Sequence, residues 1–237
     1  MILKSPFRHK RTNTMKDIIE KFQNRKHYPE HAEAIDDHLS KFFEEEDMTV
    51  FHEMLSLDFH MDVYFIKPKE SNFNILLTSG MSGYEMTVPE NIEDREDLLF
   101  AELMILIPKD IDLAQVHTGK KKNDWLISML KYTARFPHHY DTFLSVGHTI
   151  QATADLEPYS DETDFVASIV LPSVTFDEDF TEFMCGENKI NIYGLFPLYK
   201  NELEFKIKNG YSKFVDLLQE SNPEEKIDNK RKNLIQA

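Results

Sequence analysis

The sequence is poor in three residue types: of 237 residues, one is cysteine, one is tryptophan and seven are glycine. A single thiol, Cys185, cannot close an internal disulfide, and this usage suits a reducing compartment. It also excludes a zinc cluster built on cysteine spacing. Glycine is too sparse for a collagen-like or low-complexity chain. The phosphate-cradling loops are missing as well, since neither Gly-x-x-x-x-Gly-Lys nor Gly-x-Gly-x-x-Gly occurs. No apolar run is long enough to span a bilayer. Residues 1–11 are basic but lack the apolar stretch of a signal peptide. A cytoplasmic protein with no membrane partner is expected, and Met15, after an irregular polar segment, is an alternative start.

Aromatic side chains are plentiful, with 18 Phe and 9 Tyr, and hydrophobic residues make up 41% of the chain. That is enough apolar surface for a sizeable core. The net charge is −15, from 42 acidic and 27 basic residues. A surface of that sign repels nucleic-acid phosphates and favours basic partners. Charge is unevenly placed. Residues 1–26 hold eight basic and two acidic side chains, a net of +6, so the rest of the chain carries −21. We read this segment as a solvated basic tail, because few aromatics interleave its charges.

Periodicity divides the remainder into short elements. Residues 16–27 suit a short basic helix. Residues 29–45 suit a clearer one, with Pro29 in its first turn and Ile35, Leu39, Phe42 and Phe43 on one face. Extended segments are expected at 48–55, 58–67 and 73–78, the second with Phe59, Met61, Val63 and Phe65 alternating against His60, Asp62 and Tyr64. Residues 79–83, Ser-Gly-Met-Ser-Gly, turn the chain. Residues 98–107 are almost wholly apolar, as a strand covered on both faces must be. A helix capped by Asn123 runs to about residue 135, ahead of Pro137, with Trp125, Met129, Leu130 and Ala134 as its buried stripe. Strands follow at 143–152, 165–171 and 189–198, then helices at 201–208 and 211–220. The pattern predicts one α+β domain, a mixed, largely antiparallel sheet with helices packed on it. The expected division is a basic, partly irregular segment at 1–28, the domain at 29–221, and a charged, frayed tail at 222–237.

Ten histidines raise the question of metal. His52 with Glu53, His60 with Asp62, and His148 are the candidates. On a strand His60 and Asp62 project from the same face and reach one ion together, but local spacing supplies no third ligand, so no metal or cofactor is assigned. His138 and His139 are adjacent and rarely share an ion. A nucleophile elbow needs Gly-x-Ser-x-Gly, whereas Gly80-Met81-Ser82-Gly83 brings the second glycine one place early. Ser79 and Ser82 therefore read as turn residues. Cys185 lies among Asp179, Glu182 and Glu187, which disfavour a thiolate. No catalytic residue is assigned.

Several blocks resemble one known family. They are Val50-Phe51-His52-Glu53 with His60-Met61-Asp62-Val63-Tyr64, then Leu77-Thr78-Ser79-Gly80-Met81-Ser82 and residues 86–89, then residues 101–108. Residues 125–137, Tyr140-Asp141-Thr142-Phe143, Gly147-His148-Thr149-Ile150, residues 191–199 and Glu202-Leu203-Glu204-Phe205 continue the order. Across roughly residues 48–218 the chain resembles the Suppressor of fused family, bacterial type. The resemblance implies an α+β domain that acts by binding another protein. Animal relatives sequester transcription factors, and bacterial relatives are thought to be immunity proteins against toxins. No second domain of the animal type is expected after Pro223, so their clamp is not carried over.

The expected function is thus a non-enzymatic, immunity- or antitoxin-like protein that masks a toxin, with a basic toxin encoded nearby as partner. A metal-dependent hydrolase using His60, Asp62 and His148, or a stand-alone regulatory or scaffold protein, is the alternative. The expected partner-binding surface is His60, Asp62, Gly80, Met81, Gly147 and His148, where the family blocks concentrate. The acidic groups at 44–47, 90–97, 155–164 and 177–182 are further contact candidates.

Overall fold

A computed structural model describes residues 20–56, 58–111 and 123–235. Eight strands form one sheet: β1 (Met48–Phe51), β2 (Asp62–Ile66), β3 (Phe73–Ser79), β4 (Phe100–Pro108), β5 (Thr149–Gln151), β6 (Ala167–Leu171), β7 (Glu182–Cys185) and β8 (Asn188–Leu198). Their order is β1-β2-β3-β4-β8-β6-β5, with β7 paired to β8 off this path. Every pairing is antiparallel except that of β4 with β8, which runs parallel from Phe100 opposite Ile190 to Met104 opposite Gly194. The helices of the domain are α1 (Glu30–Leu39), α2 (Asp124–His139), the single turn α3 (Glu178–Thr181), α4 (Lys200–Asn209) and α5 (Tyr211–Ser221). The α+β architecture read from periodicity is the one observed.

Both faces of this sheet are covered, which is why β4 reads as a continuous apolar run. On one face Val63, Phe65, Leu103 and Ile105 pack beneath Trp125, Leu126, Met129 and Leu130 of α2. The other face has two separate covers. Ile35 and Leu39 of α1, with Phe180 of α3, lie over Tyr64, Ile66, Ile75, Leu77, Met104 and Leu106. Leu203 of α4 and Phe214 of α5 lie over Ile169, Phe196 and Leu198. Burying each such side chain contributes about 1.5–3 kcal/mol, so three clusters of this size hold the layers together.

Some elements differ from expectation for local reasons. The first strand stops at Phe51 instead of residue 55, because side chains and not a partner strand satisfy the chain beyond it. Of the extended segment expected at 143–152, only Thr149–Gln151 pairs; Phe143 packs in the core from a loop. Helix α2 runs two residues past Pro137. The ring removes one N–H in the last turn, where the loss costs least. Strand β7 was not expected; it pairs back onto β8 through the left-handed Gly186 (φ +60°).

The two ends of the domain are better anchored than charge alone suggested. Phe22 and Tyr28, from the segment expected to be irregular, are buried; the residues before Glu20 lie outside the described ones. The tail expected to fray packs instead as far as Ile235. Ile227 is buried, and its N–H donates to the Leu106 carbonyl at 2.8 Å. Arg231 forks onto Glu202, donating at 2.7 Å to both carboxylate oxygens. Glu202 is fully buried, and the tail brings it a cation in Arg231. The guanidinium also sits over the rings of Phe165, Phe196 and Tyr199.

Arg231→Ala strands the Glu202 charge and is expected to lower stability by about 3–5 kcal/mol in chemical denaturation. A loss below about 1 kcal/mol would show that the tail only rests on the surface.

Candidate functional site

The β1–β2 register sets Phe51 opposite Val63, so the next residue, His52, meets Asp62. His52 Nδ1 lies 2.9 Å from Asp62 Oδ2, and His60 Nε2 lies 2.7 Å from Oδ1. The Glu53 N–H donates to Oδ1 at 2.9 Å. The carboxylate is 17% exposed, while the imidazoles are 72% and 57% exposed. Behind this cluster the connection is tied to α2. Arg135 Nη2 donates to Glu53 Oε2 at 2.6 Å and Nε to Asp58 Oδ2 at 3.0 Å. His139 Nε2 lies 2.7 Å from Asp58, and Lys131 donates to Glu53 at 3.3 Å. Burial works to raise the Asp58 pKa, but His139, Arg135, the Phe59 amide and the Ser56 hydroxyl more than offset it. They hold that carboxyl well below the usual carboxylate range.

Gly80 and Met81 lie beneath the cluster. Gly80 has φ +131°, and a Cβ there would collide with the His60 carbonyl oxygen, so glycine is required. The turn that follows wraps a carboxylate. Glu102 accepts from the N–H groups of Gly80 (3.0 Å), Met81 (3.4 Å) and Ser82 (2.9 Å), and from the hydroxyls of Thr78 (2.6 Å) and Ser82 (2.7 Å). Burial pushes the Glu102 pKa up, against the pull of these donors. The arrangement is a framework: Glu102 and the Met81 side chain are fully buried, and the Ser82 hydroxyl is held on a carboxylate.

Gly147 and His148 lie at the far edge of the sheet, just before β5. His148 is buried, its Nδ1 lying 3.2 Å from the Phe143 carbonyl oxygen and 3.3 Å from the Ser145 amide nitrogen, and burial lowers its pKa to about 4. Gly147 (φ +86°) backs onto the Tyr211 ring. The six residues expected to form one surface are therefore two groups at opposite edges, of which only His60 and Asp62 face solvent together. The same separation dismantles the hydrolase set, because His148 cannot join His60 and Asp62 on one ion. His138 is also internal, donating from Nε2 to the Met81 carbonyl at 2.8 Å. Burial and the nearby Arg25 lower its pKa to about 3. Burial and Glu30 push the Cys185 thiol up, which leaves it a poor nucleophile.

One feature escaped sequence reasoning. Beside α5, an apolar groove of about 330 Å³ opens over the parallel pair, with residues 171–174 and 222–225 around it. Met104 and Leu106 of β4 and Gly194 and Phe196 of β8 form its floor, and Val215 and Leu218 of α5 form one wall. Val174, 85% exposed, stands on the rim. Glu225 Oε2 accepts from Ser173 Oγ and from the Val174 and Thr175 N–H groups, each at 3.0 Å, and so shapes that rim. The only local signal was Gly194 in mid-strand, since strand glycines often mark a close approach.

An open mixed sheet with helices on both faces defines an α+β domain, a fold shared with solved structures. A crystal structure of a SUFU (suppressor of fused protein) homologue from Neisseria gonorrhoeae aligns with TM-score 0.63 at 16% identity, over 88% of this chain and 98% of that one. The structure of a Sufu–Fu complex aligns with TM-score 0.58 at 14% identity, over 89% and 93%. Drosophila Suppressor of Fused aligns with TM-score 0.59 at 13% identity over 89% of this chain, which spans 52% of that one. At these identities the likeness concerns the fold. The family model for Suppressor of fused protein (SUFU) matches residues 58–232, and the chain belongs to that family. No curated protein matches it. No helix among the described residues is long and apolar enough to cross a membrane.

The buried histidines predict acid sensitivity. His138 and His148 titrate at about 3 and about 4 in the fold, against about 6.5 in an unfolded chain. Between those values the unfolded state binds more protons, so stability falls as pH drops from about 6.5 towards 4. Each group contributes a slope of about 1.4 kcal/mol per pH unit. His38 and His31 are shifted the same way by burial. Urea denaturation at pH 7.5 and 5 is expected to show a marked loss, and His138→Gln a flatter profile; a flat profile for the native chain would contradict the buried neutral histidines.

Proposed function

We propose that this protein acts without catalysis, by binding another protein through the groove over β4 and β8. The observation that carries this reading is the groove itself: an apolar concavity at the centre of an otherwise doubly covered sheet, with a buried floor of Met104, Leu106 and Phe196, a half-buried wall of Val215 and Leu218, and an exposed valine on its rim. Such a concavity suits the apolar anchor side chains that dominate protein interfaces. Membership of the SUFU family, and the shared fold of a Sufu chain crystallised in a complex with Fu, support it.

The partner suggested by charge is a basic protein. A net charge of −15 steers such a partner and speeds encounter at low salt. An immunity- or antitoxin-like role in the cytoplasm, masking a nearby-encoded toxin whose nucleic-acid site is basic, is the function most consistent with that balance. His60 and Asp62 remain a second, smaller contact candidate on the adjoining edge.

Co-expression with the product of the adjacent gene tests this. Rescue from toxicity, with a complex that weakens as salt rises, is expected. Val174→Asp and Val215→Asp, at partly exposed groove positions, are expected to weaken that complex by about 30-fold or more, the scale of an interface hot spot, while the melting temperature stays within a few degrees. A complex without rescue would favour a regulatory or scaffold role, and a complex indifferent to both substitutions would move the binding surface elsewhere.

A further inference from the structure

We infer that His52, His60 and Asp62 form a binding site for one zinc-class divalent cation, a site separate from the groove and independent of its role. The sequence offers these residues as two unrelated pairs, eight positions apart, and neither pair can enclose an ion. Antiparallel pairing of β1 with β2 closes the gap. One inward atom from each side chain lies within 4.8 Å of the other two.

The chemistry of the donor set selects the ion. Two imidazole nitrogens and one carboxylate oxygen suit zinc, copper or nickel, whereas magnesium and calcium prefer all-oxygen sites. Three protein ligands leave one tetrahedral position for water. With metal–ligand bonds of about 2.0–2.1 Å, tetrahedral ligand atoms stand roughly 3.3 Å apart. The present separations, 2.7 Å from His60 Nε2 to Asp62 Oδ1 and 2.9 Å from His52 Nδ1 to Oδ2, are hydrogen-bond lengths to different oxygens, so both imidazoles must swing towards the one oxygen that takes the ion, each in the tautomer that leaves its ligating nitrogen unprotonated. Both imidazoles are mostly exposed and free to make that adjustment. Asp62 is not; the Glu53 N–H fixes its carboxylate from behind, as outer-shell donors do at metal sites.

The neighbouring carboxylates sharpen the assignment. Glu53 turns the other way and is held by Arg135 and Lys131, and Asp58 is held by Arg135 and His139. Both are neutralised by cations, which leaves Asp62 as the carboxylate directed at the histidines. An ion here would staple the two ends of the 52–61 connection. That connection carries Met54 and Leu55, both almost fully exposed, so the metal would set how two apolar side chains are presented.

Equilibrium dialysis of the full chain against zinc chloride tests the site. One ion per chain is expected, with a rise in melting temperature on adding zinc, because a ligand of the folded state stabilises it. His52→Ala and His60→Ala should each weaken binding by more than about tenfold and abolish that rise. Both side chains are exposed, so the variants should keep the native circular dichroism; should either fail to fold, the corresponding Gln variant replaces it. Absence of stoichiometric uptake, or uptake by the His52→Ala/His60→Ala double variant equal to that of the native chain, would overturn the assignment.

Discussion

The constraint on which the rest depends is that one mixed sheet must be covered on both faces. The parallel contact of β4 with β8 lies at its middle, and strands there are buried above and below, so helices have to supply both layers. On one face the long helix α2 is joined by Phe59, Tyr84, Met86 and Phe143 from loops. On the other, the order of strands in space separates the covers: α1 and α3 close the β2–β3–β4 side, and α4 and α5 close the β8–β6 side. The groove lies on this second face, walled by α5 and by residues 171–174 and 222–225. Its floor includes Gly194, where a side chain would have reached towards Glu225.

A second theme is the use of carboxylates as internal fasteners. The chain is strongly acidic, yet several acidic side chains are turned inward, Glu102 and Glu202 completely and Asp58 and Glu53 for the most part. Glu102 gathers the amides of the 80–82 turn, Glu202 holds the C-terminal segment through Arg231, and Asp58 and Glu53 bind the β1–β2 connection to α2. Each collects donors that loops and turns would otherwise leave unsatisfied. Loops with little regular pairing are thereby positioned, and the exposed histidines of the 52–61 connection stand on this scaffold.

The groove and the histidine cluster are different kinds of surface. The first is apolar, concave and made by four elements; the second is polar, convex and made by one strand pair. Gly147 and His148, which the sequence grouped with His60 and Asp62, belong to neither. Their turn packs against α5 and serves the far edge.

What the sequence determined by itself is the alternation and length of the elements, because burial on one face or two imprints a period on the chain. Strands β2, β3, β4, β6 and β8, the stripe of α2 and the last two helices were legible for that reason, as was the glycine turn at residue 80. Short pairings were not: β7 and the three residues of β5 owe their form to a neighbour far along the chain. Neither was the fate of charges legible. Nothing local distinguishes Glu202 or Glu102, which are interior, from the acidic residues that are solvated. Tertiary structure alone decided that His52 faces Asp62, that His148 does not, and that a groove opens over Gly194. Those are meetings between residues distant in sequence, and side-chain periodicity carries no information about which distant strand becomes a neighbour.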